Sequence, residues 1–209
     1  MKGPDDIGYA GIVLTGGPAR RHGGVNAASL VGPSGRTLLQ RVVDACRYAE
    51  RVVVVGPLSA GGLPTGRQPV MWTCEIPIDS GPARAIAAGV ALIDNPDVEW
   101  ALVLAGDMPF VDEEVPYLLA AAGRAAACVD GIVATVRGRR QWLCSVYRLD
   151  ALRAACGRLP RLGVGETVKQ LTYEMILVDM PLSGSSLVDI DTPADIAASG
   201  YRVPRTRHG

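Results

Sequence analysis

Leu14-Thr15-Gly16-Gly17-Pro18-Ala19-Arg20-Arg21-His22-Gly23-Gly24 is the stretch that decides how this chain folds, through what it joins. Ahead of it, Tyr9–Leu14 (YAGIVL) is a nearly continuous apolar run, the pattern of a strand buried on both faces. After it, Leu38, Leu39, Val42, Val43, Ala45 and Cys46 fall at helical spacing within residues 37–48. A buried strand, a glycine-rich turn and an amphipathic helix in that order open an α/β layer structure.

Outward from this junction the alternation continues. Val52–Val55 (VVVV) is a second buried strand, closed by Gly56-Pro57, and Val70–Thr73 is a third. Gly81-Pro82 opens a helix over 83–93, residues 100–104 (WALVL) form a fourth strand, and 113–121 another helix, which Asp112 is placed to cap. This order predicts a mostly parallel sheet with helices on both faces, a three-layer αβα, Rossmann-like arrangement. The second half is less regular. Residues 132–136 and 143–147 read as strands joined through the charged turn Arg137-Gly138-Arg139-Arg140, a small antiparallel excursion. Short helices over 149–156 and 166–171, a strand over 175–179 and a helix from Thr192-Pro193 to 198 follow. The basic, proline-containing residues 202–209 read as a frayed tail. With 209 residues, no internal repeat and no separating linker, 1–209 reads as one domain.

Composition narrows the function classes. Hydrophobic residues make up 48% of the chain, enough for a large core, which argues against disorder. The 21 basic residues balance 21 acidic ones, which argues against a surface built to wrap nucleic acid or lie on an anionic membrane. Lys2 and Lys169 are the lysines and arginine supplies the rest; its planar fork suits phosphate oxygens, although genome base composition produces the same bias. Cys46, Cys74, Cys128, Cys144 and Cys156 are odd in number and contain no C-x-x-C pair, so they read as small core residues in a reducing compartment. No apolar run approaches the roughly 18–20 residues that span a bilayer, and the acidic N-terminus carries no signal-peptide pattern, so a cytoplasmic protein is expected.

Three places carry candidate chemistry. In the loop after the first strand, Gly16 and Gly17 let backbone amides approach an anion or a flat base, and Arg20 and Arg21 can hold triphosphate oxygens. A solvated turn would show the same residues, but neither a Rossmann G-x-G-x-x-G nor a G-x-x-x-x-G-K-[ST] phosphate loop is present. Gly106-Asp107-Met108-Pro109 follows WALVL, so Asp107 stands at the carboxyl end of a parallel strand, where open α/β sheets bind ligands. Magnesium needs only one or two carboxylates beside phosphate oxygens, which makes Asp107 a metal-ligand candidate. In Asp189-Ile190-Asp191-Thr192-Pro193, Asp191 is either a second metal ligand or the N-cap of the last helix.

Taken together, the three pieces resemble the molybdenum cofactor guanylyltransferase (MobA-like) family of NTP transferases, from Gly11 to about Ala198. The family's L-A-G-G-x-x-x-R-x-G-x-x-x-K, D-M-P and [ND]-T-P-x-D motifs are met in order by LTGGPARRHGG, GDMPF and DIDTPADI. Asp79-Ser80-Gly81-Pro82-Ala83 is similar to a family turn beside the base and ribose. Gly138-Arg139-Arg140-Gln141-Trp142-Leu143 is similar to the G-R-x-Q-x-L segment ahead of a V-Y-R strand, here Val146-Tyr147-Arg148. The resemblance implies a sheet of the nucleotide-diphospho-sugar transferase type. It also implies a nucleotide site of Leu14, Gly16, Gly17, Arg20, Asn26, Asp79, Gly81 and Asp107, with Mg²⁺ on Asp107 and Asp191.

One departure matters. The family loop continues G-x-D-K, whereas Asn26 stands here at the Asp position and Ala27 at the Lys position. By position in the sequence, Lys2 and Lys169 are poor substitutes for that lysine, and Arg20 beside Arg21 is the expected compensation. The implied reaction is attack by an acceptor phosphate on the α-phosphate of an NTP, with Arg21 and Asp107 as the catalytic residues and no general base. GTP is the favoured nucleotide, molybdopterin the acceptor, and molybdenum-cofactor pathway proteins the expected partners. The other readings are a cytidylyltransferase, a nucleotide-binding scaffold that has lost catalysis at Ala27, and a redox enzyme on a Rossmann domain.

Overall fold

The structure is a computed structural model that describes residues 7–16, 26–57, 64–160, 165–182 and 200–203. Gly17, Arg20, Arg21, His22 and Asp191, and the helix expected over 192–198, lie outside the described residues.

The apolar runs become strands at the expected places. β1 (Tyr9–Leu14), β2 (Val52–Val55), β3 (Val70–Thr73) and β4 (Trp100–Ala105) are parallel neighbours in the order β3-β2-β1-β4. β5 (Gly131–Val136), β6 (Arg139–Arg148) and β7 (Leu177–Pro181) extend the sheet beyond β4 as β6-β5-β7. β6 runs antiparallel to both β4 and β5, while β7 is parallel to β5. The excursion is turned by Arg137 and Gly138, both at positive φ (50° and 75°), a two-residue hairpin loop whose twist matches its strands.

Alternation along β1 sorts its residues between two cores. Tyr9 and Val13 face one side, under α1 (Leu38–Ala45) and α3 (Val115–Gly123); Ala10, Ile12 and Leu14 face the other, under α2 (Pro82–Val90), α4 (Leu149–Gly157) and α5 (Val168–Leu171). This is the three-layer αβα arrangement expected from the sequence. No helix among the described residues is long and apolar enough to cross a membrane.

Helix ends differ from the periodicity, and capping explains how. Thr37 and Thr167 stay extended and accept a hydrogen bond from the amides of Gln40 and Gln170, so α1 and α5 start one residue after them. Asp112 does not cap α3, whose start has no side-chain cap. It lies in a 3-10 turn (Val111–Glu113) and instead accepts from Arg41 Nη2 at 3.2 Å, tying that turn to α1.

β5 and β6 fall out of register midway. Val133 pairs with Ser145, but the next residue, Ala134, pairs with Gln141, so Trp142, Leu143 and Cys144 have no partner on β5. β4 continues to hold Cys144, opposite Leu104. Ser145 Oγ donates to the carbonyls of Gln141 (3.2 Å) and Trp142 (3.3 Å), and the Tyr147 hydroxyl donates to the same Trp142 carbonyl at 3.4 Å. Such a bulge re-aims the side chains it carries.

Candidate functional site

β1 has β2 on one side and β4 on the other, so the chain order reverses between β1 and β4, the crevice where open α/β sheets take their ligands. The two loops leaving this crevice are joined directly. The Gly106 amide donates to the Leu14 carbonyl at 2.8 Å, and the Asn26 side-chain amide donates to the Thr15 carbonyl at 3.0 Å. Asn26 Oδ1 in turn accepts from Ala28 N at 3.0 Å, capping a 3-10 turn over Ala27–Ser29. Asn26, expected at the nucleotide, is thereby tied to the end of β1.

Below Gly16 the backbone is packed closely. Thr15 Oγ1 donates to the Val55 carbonyl at 3.2 Å, and Gly56 sits at φ +137°, where a Cβ would lie 2.5 Å from Thr15 Oγ1 and 2.8 Å from Gly16 N. Only glycine fits at that point. Gly16 itself is exposed, and a Cβ built there meets nothing nearer than Glu75 Oε1 at 3.9 Å.

Glu75 is a residue that the sequence reading missed. It is buried just beyond β3, its Oε1 accepts the Asp79 amide at 3.1 Å, and its Oε2 has no partner among the described residues. Buried polar atoms are nearly always satisfied, so the unmatched Oε2, on the carboxylate whose Oε1 lies near Gly16, suits a donor from a ligand. The available signal was a lone acid closing an apolar strand before Pro77. Asp79, exposed and at φ +60°, is thereby linked through Glu75 to the Gly16 side of the crevice.

Gly81 marks the other side. At φ +104° and ψ 164° it adopts a conformation essentially restricted to glycine, and a Cβ there would lie 3.1 Å from the Glu166 carbonyl oxygen and 3.2 Å from Gly165 Cα. The contact is stitched on both sides. The Gly165 amide donates to the Ser80 carbonyl at 2.8 Å, the Ala83 amide donates to the Glu166 carbonyl at 3.3 Å, and Arg84 pairs with Glu166 at 3.3 Å with both side chains largely buried.

Asp107, half-buried at the end of β4, lines a cavity of about 610 Å³ together with Pro82, Met108, Trp142, Lys169 and their neighbours. Lys169, distant from Asp107 in the sequence, lines the same cavity. α5 brings it there, and the sequence alone does not show where α5 docks. Ala27 is buried in a separate apolar cluster with Leu30, Leu38 and Tyr201. The described residues contain no group of three or more His, Cys, Asp or Glu placed to hold a metal. A lone Asp107 is still a sufficient protein ligand for a cation that shares phosphate oxygens.

The sequence matches the family described as MobA-like NTP transferase domain over residues 11–172. It is 35% identical over 150 residues to a probable molybdenum cofactor guanylyltransferase of Mycobacterium tuberculosis (strain ATCC 25618 / H37Rv), covering 70% of this chain and 71% of that protein. Among solved structures it resembles Rv0371c from Mycobacterium tuberculosis H37Rv (TM-score 0.69, 16% identity, 92% and 97% of the two chains). It also resembles 2-C-methyl-D-erythritol 4-phosphate cytidylyltransferase from Thermus thermophilus (TM-score 0.65, 20% identity, 93% and 98%). At those identities the two structures show a shared fold.

Proposed function

The chain belongs to the MobA-like NTP transferase family, and we propose that it moves GMP from GTP to the terminal phosphate of molybdopterin with release of pyrophosphate. The observation that carries this reading is the juncture of the β1 and β4 loops, with Gly106 bonded to Leu14, Gly16 exposed on one side, and Asp107 facing a cavity on the other. A nucleoside triphosphate fits across that juncture, with its base over Gly16 and Glu75 and its phosphates toward Asp107.

In the reaction, an oxygen of the acceptor phosphate bonds to the α-phosphorus. The bond from that phosphorus to the bridging oxygen breaks, and the electron pair leaves with pyrophosphate. The acceptor is already anionic at neutral pH, so the protein supplies placement and charge rather than a nucleophile or base. Asp107, with Asp191, would hold Mg²⁺, which when bound supplies positive charge to the triphosphate. Arg20 and Arg21 hold the β- and γ-phosphates. Glu75 favours guanine, which offers adjacent ring N–H and amino donors to a carboxylate's acceptor oxygens.

The test is pyrophosphate release with each of the four NTPs, Mg²⁺ and molybdopterin, run beside Asp107→Ala. Release with GTP, lowered by about 10²–10³ or more in the variant, is expected. Equal rates in the two proteins would refute the role of Asp107, and release with CTP alone would make the chain a cytidylyltransferase. One observation favours a second reading, a nucleotide-binding scaffold: Ala27 is buried among apolar side chains where the family motif carries its lysine. Tight GTP binding without pyrophosphate release would identify it.

A further inference from the structure

We propose that Lys169 is the cation that grips the attacking phosphate of the acceptor. The inference rests on the nucleotidyl-transfer reading above. Lys169 lines the cavity that also contains Asp107, so a phosphate held by its ammonium lies on the same side of the sheet as the group to be transferred.

The walls of the cavity specify what it takes. Trp142, Leu143, Met108 and Pro82 supply flat and apolar surface, and Arg140 and Lys169 supply positive charge. A flat heteroaromatic ring carrying a phosphate monoester matches that combination. The two cations are not equivalent. Arg140 Nε donates to Asp179 Oδ1 at 2.6 Å and its guanidinium lies 5.3 Å from the centre of the Trp142 ring, so it is committed to the wall. Lys169 is exposed, and no hydrogen bond or ion pair engages it among the described residues. A strongly hydrated point charge on a four-carbon stem can follow a phosphate into the reaction, which a braced guanidinium cannot.

The backbone that carries Lys169 is fixed even though its side chain is not. Thr167 and Gln170 form a reciprocal capping box, with the Thr167 amide donating to Gln170 Oε1 at 2.8 Å. Val168 and Leu171 are buried in the core, and the segment ahead of α5 is held on the Gly81 turn. The lysine therefore starts from a defined point at the cavity, while Ala27 is packed against Leu30, Leu38 and Tyr201.

Lys169→Ala and Lys169→Arg are compared with the wild type in steady-state pyrophosphate release, varying molybdopterin at saturating GTP and then the reverse. Molybdopterin binding is also measured without turnover, by tryptophan fluorescence, with the signal assigned through Trp142→Phe. The Ala variant is expected to weaken acceptor KM and Kd about 10–100-fold, the worth of a hydrogen bond to a charged group, with KM for GTP and the melting temperature unchanged. The Arg variant recovers part of the loss. Unchanged acceptor affinity in Lys169→Ala, or a rise in the GTP KM instead, overturns the proposal. If the wild type releases no pyrophosphate with any NTP, the transfer reading falls, and the fluorescence titration still decides for or against Lys169.

Discussion

Replacing Gly81 by alanine tests the contact that places α5 at the site. At φ +104° and ψ 164°, a β-carbon costs about 1–3 kcal/mol in backbone strain alone. It would also stand 3.1 Å from the Glu166 carbonyl oxygen and 3.2 Å from Gly165 Cα. These are backbone atoms, which cannot swing aside, so forcing them apart adds about 1–3 kcal/mol. The sum is about 2–6 kcal/mol, and at roughly 2–4 °C per kcal/mol for a chain of this size the melting temperature falls by about 4–24 °C. Gly138→Ala is the comparison for positive φ without crowding, since Gly138 is at φ 75° and nothing among the described residues lies within 4 Å of its Cβ position. Thermal unfolding of both variants, followed by circular dichroism, should show Gly81→Ala losing clearly more. Acceptor KM should rise with it, because Lys169 moves with α5. If the two variants unfold together, the turn and the α5 segment are not held against one another, and the placement of Lys169 loses its support.

Other outcomes follow from the same geometry. Ala27→Lys, the obvious attempt to restore the family motif, should lower the melting temperature by overpacking the Leu30, Leu38 and Tyr201 cluster, with no gain in pyrophosphate release; a faster enzyme of unchanged stability would contradict this. Burial pushes the Cys46 thiol from 9.0 up to about 12, so the unfolded chain gives up that proton first. The stability this group contributes is therefore complete below about pH 9 and lost as pH rises toward 12, and melting temperatures should fall over that window less steeply in Cys46→Ala. Burial moves Tyr147 from 10.0 to about 12 as well, in the same direction, and its contribution remains in the Cys46 variant.

Much of this fold is legible in the chain because burial on both faces leaves a local signature. YAGIVL and VVVV are strands for the same reason that they are apolar throughout, and β1, β2 and β3 fall on the expected residues. The helix starts were less legible, because Thr37 and Thr167 belong to helical stretches by spacing but take extended backbone in order to cap. Asp107 could be read from its place after WALVL, since the end of a parallel strand is where such sheets bind. Glu75 and Lys169 could not. One stands out as a buried carboxylate near Gly16, the other through the docking of a four-residue helix on the Gly81 turn, and both facts depend on contacts across the chain.

The register break in β6 has an evolutionary side. Trp142 and Leu143 stand in the cavity on a stretch that β5 does not hold and that the Ser145 and Tyr147 hydroxyls do. Mutations at those two positions reshape the wall of the cavity without unpicking the β5 ladder. A lineage carrying this architecture can vary the lining of that cavity one side chain at a time and keep its sheet intact throughout.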